Sequence, residues 1–335
     1  MTTAVTVFGT SVARGDTAKF RAAVAEMNDG TPVTVPVMVV AGRRDGPVVL
    51  LSGAIHGDEY NGPATIHRLL REITPDMLRG TLVGIPIMSP FSFFCRSRSN
   101  DLDYEHLNLN RIWPGDPDGF LSQRAAHVIH EHAIRRSDVI LDFHEGGIAF
   151  MARYVALGGV PGTKTAVREA ELRMARHFGQ GVPIVDKTID EKAARLGRLG
   201  MLSAAGAAMD VPVLTIETGG AGTLWPDFVE LATTGARRIL VGLDMLDGPP
   251  PVDDREQVIV RDGRWIRPQR GGFLRNLPGM DLGAKVKAGT PMGRIEDAFG
   301  DTVDELRAPF DCIILDTRHI ATVYPGDWTF SCGRL

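Results

Sequence analysis

Cysteine is scarce: the 335-residue chain has three, Cys95, Cys312 and Cys332. An odd number at wide spacing excludes a disulfide framework and fits reduced thiols. Long apolar runs are missing as well. No stretch approaches the roughly 18 apolar residues that a membrane-spanning helix needs. The start, Met1-Thr2-Thr3-Ala4-Val5, has no basic flank leading into an apolar segment of signal-peptide length. These absences predict a cytoplasmic protein with no membrane partner. Positive charge is not in excess either: 37 Lys and Arg stand against 41 Asp and Glu, a formal net charge of −4. No general basic field exists to hold a nucleic-acid backbone, so nucleic acid is excluded as an expected partner. Gly219, Gly220 and Gly222 cluster, but they lack the strand-to-helix fingerprint and the later acidic residue of a nucleotide loop. What is present is an ordinary globular composition, 44% apolar and 23% charged. The length accommodates one catalytic domain of about 200 to 250 residues and a small appendage.

Two apolar stretches, 33–40 and 48–54, flank the turn-rich segment Gly42-Arg43-Arg44-Asp45-Gly46-Pro47, which reads as a hairpin entering a sheet. Gly62-Pro63 opens a helical pattern over 64–73, leaving 56–61 as a loop from strand to helix. The alternation returns as a strand at 81–88, a long polar loop to Pro117, a helix at about 122–135 and a strand at 139–143 that ends in His144. Then come helices near 163–178 and 199–208, a strand at 211–216 ending in Glu217, and a last helix from about 226 to 246. Uniformly apolar strands alternating with helices predict an α/β fold, a three-layer sandwich around a mixed, largely parallel central sheet. Near Asp247-Gly248-Pro249-Pro250-Pro251 the composition breaks, and short β-like runs between glycines follow. The predicted organisation is a catalytic domain over 1–248, with an N-terminal β segment at 1–45, and a small all-β domain over 255–335. Gly271-Gly272-Phe273, the stretch 283–289 and Arg307-Ala308-Pro309-Phe310-Asp311 resemble the barrel-sandwich repeats of biotinyl and lipoyl carrier domains. Those carriers present a lysine at a hairpin tip, and 296–305 contains none, so a lid or scaffold is expected instead.

In open α/β sheets reactive groups gather where strand C-termini deliver loops to one edge. Three such positions carry chemistry. His56 and Glu59, in His56-Gly57-Asp58-Glu59, are close enough to converge on one cation in a tight turn. His144 ends a second strand. Two imidazoles and one carboxylate, with a fourth position for water, are the donor set of a catalytic rather than a structural zinc. Asp142 either orients a ligand or is a structural carboxylate, and Glu145 either lines the pocket or touches the metal. Glu217 ends the third strand and supplies a carboxylate suited to activating water, although the glycines after it also fit a strand-terminating turn. The long loop adds Arg96, Arg98, Asn110 and Arg111. Guanidinium groups bind carboxylates bidentately and stabilise an oxyanion on a scissile carbonyl, which implies an anionic substrate. His127, His130 and His132 read as a solvated helix face.

Together these stretches resemble the succinylglutamate desuccinylase and aspartoacylase family, within the wider zinc carboxypeptidase-like fold. The resemblance rests on His-Gly-Asp-Glu at 56–59, Asn-Leu-Asn-Arg at 108–111 followed by Trp113-Pro114-Gly115, Asp-Phe-His at 142–144 and Ile-Glu-Thr-Gly at 216–219. They stand in the family's order and cover essentially the whole chain. The resemblance implies one zinc ion per chain on His56, Glu59 and His144, with Glu217 as the base. It also implies that Asn110 and Arg111 bind a substrate carboxylate and that an upstream arginine polarises the carbonyl. Arg98 is the choice for that arginine and Arg96 the alternative, because the loop before Asn108 looks longer than in the archetypal acylases. The Asn-Leu-Asn-Arg with Pro114-Gly115-Asp116-Pro117 is most similar to the branch containing the N-acetyl-diaminobutyrate deacetylase, but Glu145 follows His144 where that branch more often has serine.

The implied reaction is hydrolysis of the amide bond of a small N-acyl amino acid or related carboxylate-bearing amide, with the acyl group left open. A homo-oligomer is implied without a stoichiometry. Two alternatives remain. A metallocarboxypeptidase uses the same metal and base on a C-terminal peptide bond. A non-catalytic, metal-dependent small-molecule binding protein would not require Glu217.

Overall fold

A computed structural model describes residues 4–179, 181–187, 194–195, 197–249 and 257–335. The chain opens with a short ribbon, β1 (Val5–Val7) and β2 (Thr10–Val12), and enters the main sheet through β3 (Thr17–Glu26), β4 (Pro32–Ala41) and β5 (Arg44–Ser52). Next come α1 (Asn61–Glu72), β6 (Arg79–Ile85), α2 (Pro90–Cys95), α3 (Leu121–His132) and β7 (Val139–His144). They are followed by β8 (Phe150–Leu157), α4 (Thr165–Phe178), β9 (Ile184–Asp186), α5 (Leu202–Ala208), β10 (Val213–Gly220) and α6 (Pro226–Gly242). Beyond α6 the described residues form only strands, from β11 (Ile259–Val260) to β19 (Phe330–Arg334). No helix among the described residues is long and apolar enough to cross a membrane.

The central strands lie in the order β3-β4-β6-β5-β7-β10-β8. β5 runs parallel to β6 and β7, and β7 parallel to β10, while β3, β4 and β8 add antiparallel flanks. The sheet is therefore mixed, with a parallel centre. All six residues of β7 are buried because helices cover both faces. One layer holds Val49 and Leu51 of β5 against α1, α4 and α6; the other holds Leu50 against α2, α3 and α5. In α1, Ile66, Leu69 and Leu70 present one apolar face, Pro63 sits in the first turn where its missing N–H costs nothing, and Ile73 turns extended before Pro75. Each such buried Leu or Ile contributes about 1.5–3 kcal/mol.

The expected 33–54 hairpin does not form. β4 and β5 are not paired, because β6 lies between them, antiparallel to β4 and parallel to β5. The two-residue link at 42–43 instead arches over the start of β6, where Gly42 N–H donates to Gly80 O at 2.8 Å. Close passage requires glycine: a Cβ on Gly42 would meet Leu78 O at 2.2 Å, and one on Gly80 would meet Pro47 O at 2.1 Å. The histidine face of α3 also differs from expectation. His130 is buried with Ala126 and Ile129 on the side packed into the core, its Nδ1 3.1 Å from Glu131, and the His132 ring lies 5.7 Å from Phe8. Strand β8 and helix α2 have no counterpart in the sequence reading.

The C-terminal strands have their own apolar core, including Leu274, Met292, Ile295, Leu306 and Phe330. They do not stand apart from the main sheet. β17 (Cys312–Arg318) pairs antiparallel with β8, matching Asp316 to Ala152 and Arg318 to Phe150, so one hydrogen-bonded ladder joins both parts. The expected domain boundary at 249–254 falls largely on 250–256, outside the described residues.

Candidate metal centre

Because β5, β7 and β10 are parallel and adjacent, their C-terminal ends meet at one edge, with Ser52 in register with Asp142 and His144 with Glu217. The chain leaving β5 turns through Ala54, whose φ of 43° is a strained left-handed conformation, into His56-Gly57-Asp58-Glu59. Gly57 lies against α2 so closely that a Cβ would stand 1.9 Å from the Ser92 carbonyl carbon. Asp58 accepts the Ile148 N–H at 3.2 Å, tying this turn to the loop after β7.

His56, Glu59 and His144 are all buried, and one donor atom from each lies within 4.8 Å of the others. His56 Nδ1 is 2.7 Å from Glu59 Oε1, and His144 Nδ1 is 2.9 Å from Glu59 Oε2. On its far side His144 Nε2 contacts Asp142 Oδ2 at 3.0 Å, and Asp142 Oδ1 accepts from Ser52 Oγ at 2.6 Å. A carboxylate behind a histidine fixes its tautomer and turns the other nitrogen towards a cation, so Asp142 stands where it can orient a ligand. Burial raises the Glu59 carboxyl, but the charges of His56 and His144 and their hydrogen bonds outweigh it and hold the group far below the usual carboxylate range. Burial lowers His56, and the Arg98 charge adds to that. Burial also opposes charge on His144, yet Asp142 and Glu59 raise it well above an ordinary imidazole. His56 Nε2 is buried without a hydrogen-bond partner. An orphaned buried imidazole nitrogen within a His, Glu, His cluster fits a divalent metal of the zinc class.

Glu145 is not part of this cluster. Its Oε2 accepts from the Asn61 N–H at 2.7 Å and from Asn61 Nδ2 at 2.5 Å, which fastens it to the start of α1. Burial first, and then the Glu59 charge, push its carboxyl up to about 8. Arg98 reaches the centre, with Nη1 3.4 Å from Glu59 Oε1 and its side chain 52% exposed at the rim. Arg96 caps α2 in a left-handed conformation, and its charge acts on Tyr60. Asn110 is buried: its Oδ1 accepts the Leu202 N–H at 2.9 Å, and its Nδ2 lies 3.4 Å from His144 Nε2. Arg111 donates to Asn110 O at 2.6 Å. Burial, then the charges of Arg98 and Arg198, lower its pKa, and it has no carboxylate partner among the described residues.

Glu217 sits on β10 beside His144 and opposite Tyr154. Its side chain is 17% exposed and lies 3.4 Å from Lys187 Nζ, which is itself 2.8 Å from the Tyr154 hydroxyl. The sequence reading missed Ser52, Tyr154, Lys187 and Asp316. No local motif marks any of the four; Tyr154 gains its meaning only once β8 is paired with β10, which sets it opposite Glu217.

The profile of the succinylglutamate desuccinylase/aspartoacylase catalytic domain matches residues 45–243, more than half of the chain. The N-alpha-acetyl-L-2,4-diaminobutyric acid deacetylase of Halomonas elongata is 28% identical over 300 residues, 88% of this chain and 84% of that protein. Among solved structures, a succinylglutamate desuccinylase/aspartoacylase from Rhodobacter sphaeroides superposes with a TM-score of 0.80 at 23% identity, covering 95% of each chain. The product-bound ectoine utilization protein EutE (DoeB) from Ruegeria pomeroyi gives 0.80 at 24% identity, again over 95% of each. With the strand-end cluster and the profile in agreement, the chain belongs to the succinylglutamate desuccinylase/aspartoacylase family of amide-bond deacylases.

Proposed function

We propose that the chain is a zinc-dependent hydrolase that removes the acyl group from a small N-acyl amino acid, with N-acetyl-diaminobutyrate as the first substrate to test. The observation that carries this reading is the buried convergence of His56, Glu59 and His144 at the strand edge that also presents Glu217. Those three residues would hold the metal. Zinc, when bound, supplies a Lewis acid that polarises a carbonyl and makes water nucleophilic near neutral pH. Glu217 takes the proton from the attacking water and returns it to the leaving nitrogen. Arg98, at the rim, donates to the oxygen on which charge develops, a place its contact with Glu59 allows and that of Arg96 on α2 does not favour. Arg111, with the Asn110 amide, holds the substrate carboxylate; that Arg111 has no carboxylate partner among the described residues supports that role. The strands from Ile259 to Arg334 serve as a scaffold that extends the sheet beyond β8.

A hydrolysis screen of N-acetyl and N-succinyl amino acids, with and without a chelator, tests the reading. Turnover is expected for at least one, to vanish with chelation and to return with zinc. Glu217→Gln is expected to lower kcat by about 100-fold or more while zinc content stays unchanged. Hydrolysis indifferent to the chelator would defeat the metal assignment, and full activity in the Gln variant would defeat the base.

A further inference from the structure

We propose that Lys187 is a positioning residue for the base: together with the Tyr154 hydroxyl it clamps the Glu217 carboxylate in one orientation facing the metal edge. The inference rests on the deacylase reading, in which Glu217 is the base. Lys187 Nζ donates to the Tyr154 hydroxyl at 2.8 Å and lies 3.4 Å from Glu217 Oε1. Burial first, then the charges of Asp316 and Glu217, hold the Tyr154 hydroxyl well above its ordinary value, so it keeps its proton on the side of the sheet that carries Glu217. The ammonium also sits 4.5 Å from the centre of the Tyr154 ring. Donors and acceptors are consistent around the group: lysine has three N–H bonds to give, while tyrosine accepts one and gives one.

This differs from an ordinary surface ion pair. Tyr154 is buried, Glu217 is 17% exposed and Lys187 33% exposed, so both contacts form where solvent screens them weakly. The backbone places all three residues. Glu217 and Tyr154 are register partners on neighbouring strands, so they share a sheet face. Lys187 follows β9, which pairs with β8, and its own N–H donates to Leu157 O at 3.0 Å. A general base has to stand within about 2.6–3.2 Å of the proton it takes. A carboxylate on a rotatable side chain meets that demand only if its torsions are held, and a cation on one side, itself braced by the Tyr154 hydroxyl, leaves the other lone pairs for water.

The test compares zinc-loaded wild type with Lys187→Met and Lys187→Arg, by kinetics on the best substrate of the screen, zinc analysis and crystal structures. For Lys187→Met, kcat is expected to fall roughly 10- to 100-fold, a part of what general acid–base catalysis contributes, with KM and zinc content unchanged. Lys187→Arg is expected to recover most of the loss. The Glu217 carboxylate should keep one rotamer in wild type and the Arg variant, and should turn or split in the Met variant. An unmoved Glu217 in Lys187→Met would overturn the inference, and so would a raised KM at unchanged kcat, which would make Lys187 a substrate anchor. If wild type hydrolyses no N-acyl amino acid, the deacylase reading fails, and the rotamer comparison still decides the clamp.

Discussion

Asp142 shows how much of the His56, Glu59, His144 cluster depends on a residue standing behind it. It holds His144 Nε2 from behind and is itself held by Ser52. Asp142→Ala is expected to weaken zinc binding about 10- to 100-fold, measured by competition with a chromogenic chelator, with the fold retained. Unchanged affinity would make the carboxylate structural. Asp316, on the C-terminal side of Glu217, gives a pH effect of stated sign. Burial first, then the charge of Glu217, raise its carboxyl to about 7, against the opposing influence of Lys187 and a bond from Ser331. Its ordinary value is 3.8, so the folded protein binds the extra proton between about pH 4 and 7. The stabilisation is complete below that window and is lost as pH rises through 7. Urea unfolding at pH 5 and pH 8 should show wild type losing up to about 2.7 kcal/mol more than Asp316→Asn over that interval, roughly two pH units at about 1.36 kcal/mol each. Parallel pH dependences would refute it.

Helix α2 and the turn after β5 depend on each other through Gly57. An added methyl would overlap the Ser92 backbone, which no side-chain rotation relieves. Gly57→Ala is therefore expected to cost about 3 kcal/mol and to lower zinc content, read by thermal unfolding and elemental analysis. Full metal occupancy at wild-type stability would contradict the packing. The convergence of His56, Glu59 and His144 was legible in the sequence because each ends or follows a strand whose apolar run marks the sheet edge. Lys187 was not legible: it follows a three-residue strand, and its meaning comes only from the β9–β8–β10 ladder. Helix α2 hid inside a loop read as polar, its one local signal being the Ser89 side chain accepting the Ser92 N–H ahead of Pro90. Strand type could be read locally, whereas strand partners are set by distant segments.

On the scale of the whole molecule, the C-terminal strands complete the sheet rather than hang from it. β17 covers the edge of β8, and across that seam Phe150 meets Trp265 at 5.2 Å and Trp265 stacks on Trp328 at 4.9 Å. A chain ended after residue 248 would bare the β8 edge and the Tyr154 side of the sheet. It is expected to aggregate or to unfold at lower temperature, by light scattering and calorimetry. A monomeric, fully active fragment would show that the two parts are independent.

The short arch at 42–43 also constrains how the chain can reach this arrangement. Neighbouring segments joined by so brief a link collide most often with each other, yet in the finished protein a later segment separates them. Zipping those two together early would give a compact but wrongly ordered species, which must reopen before residues 79–85 can enter. The glycines at 42 and 80 thus keep the doorway narrow, and refolding speed should be more sensitive to them than to His56, Glu59 or His144.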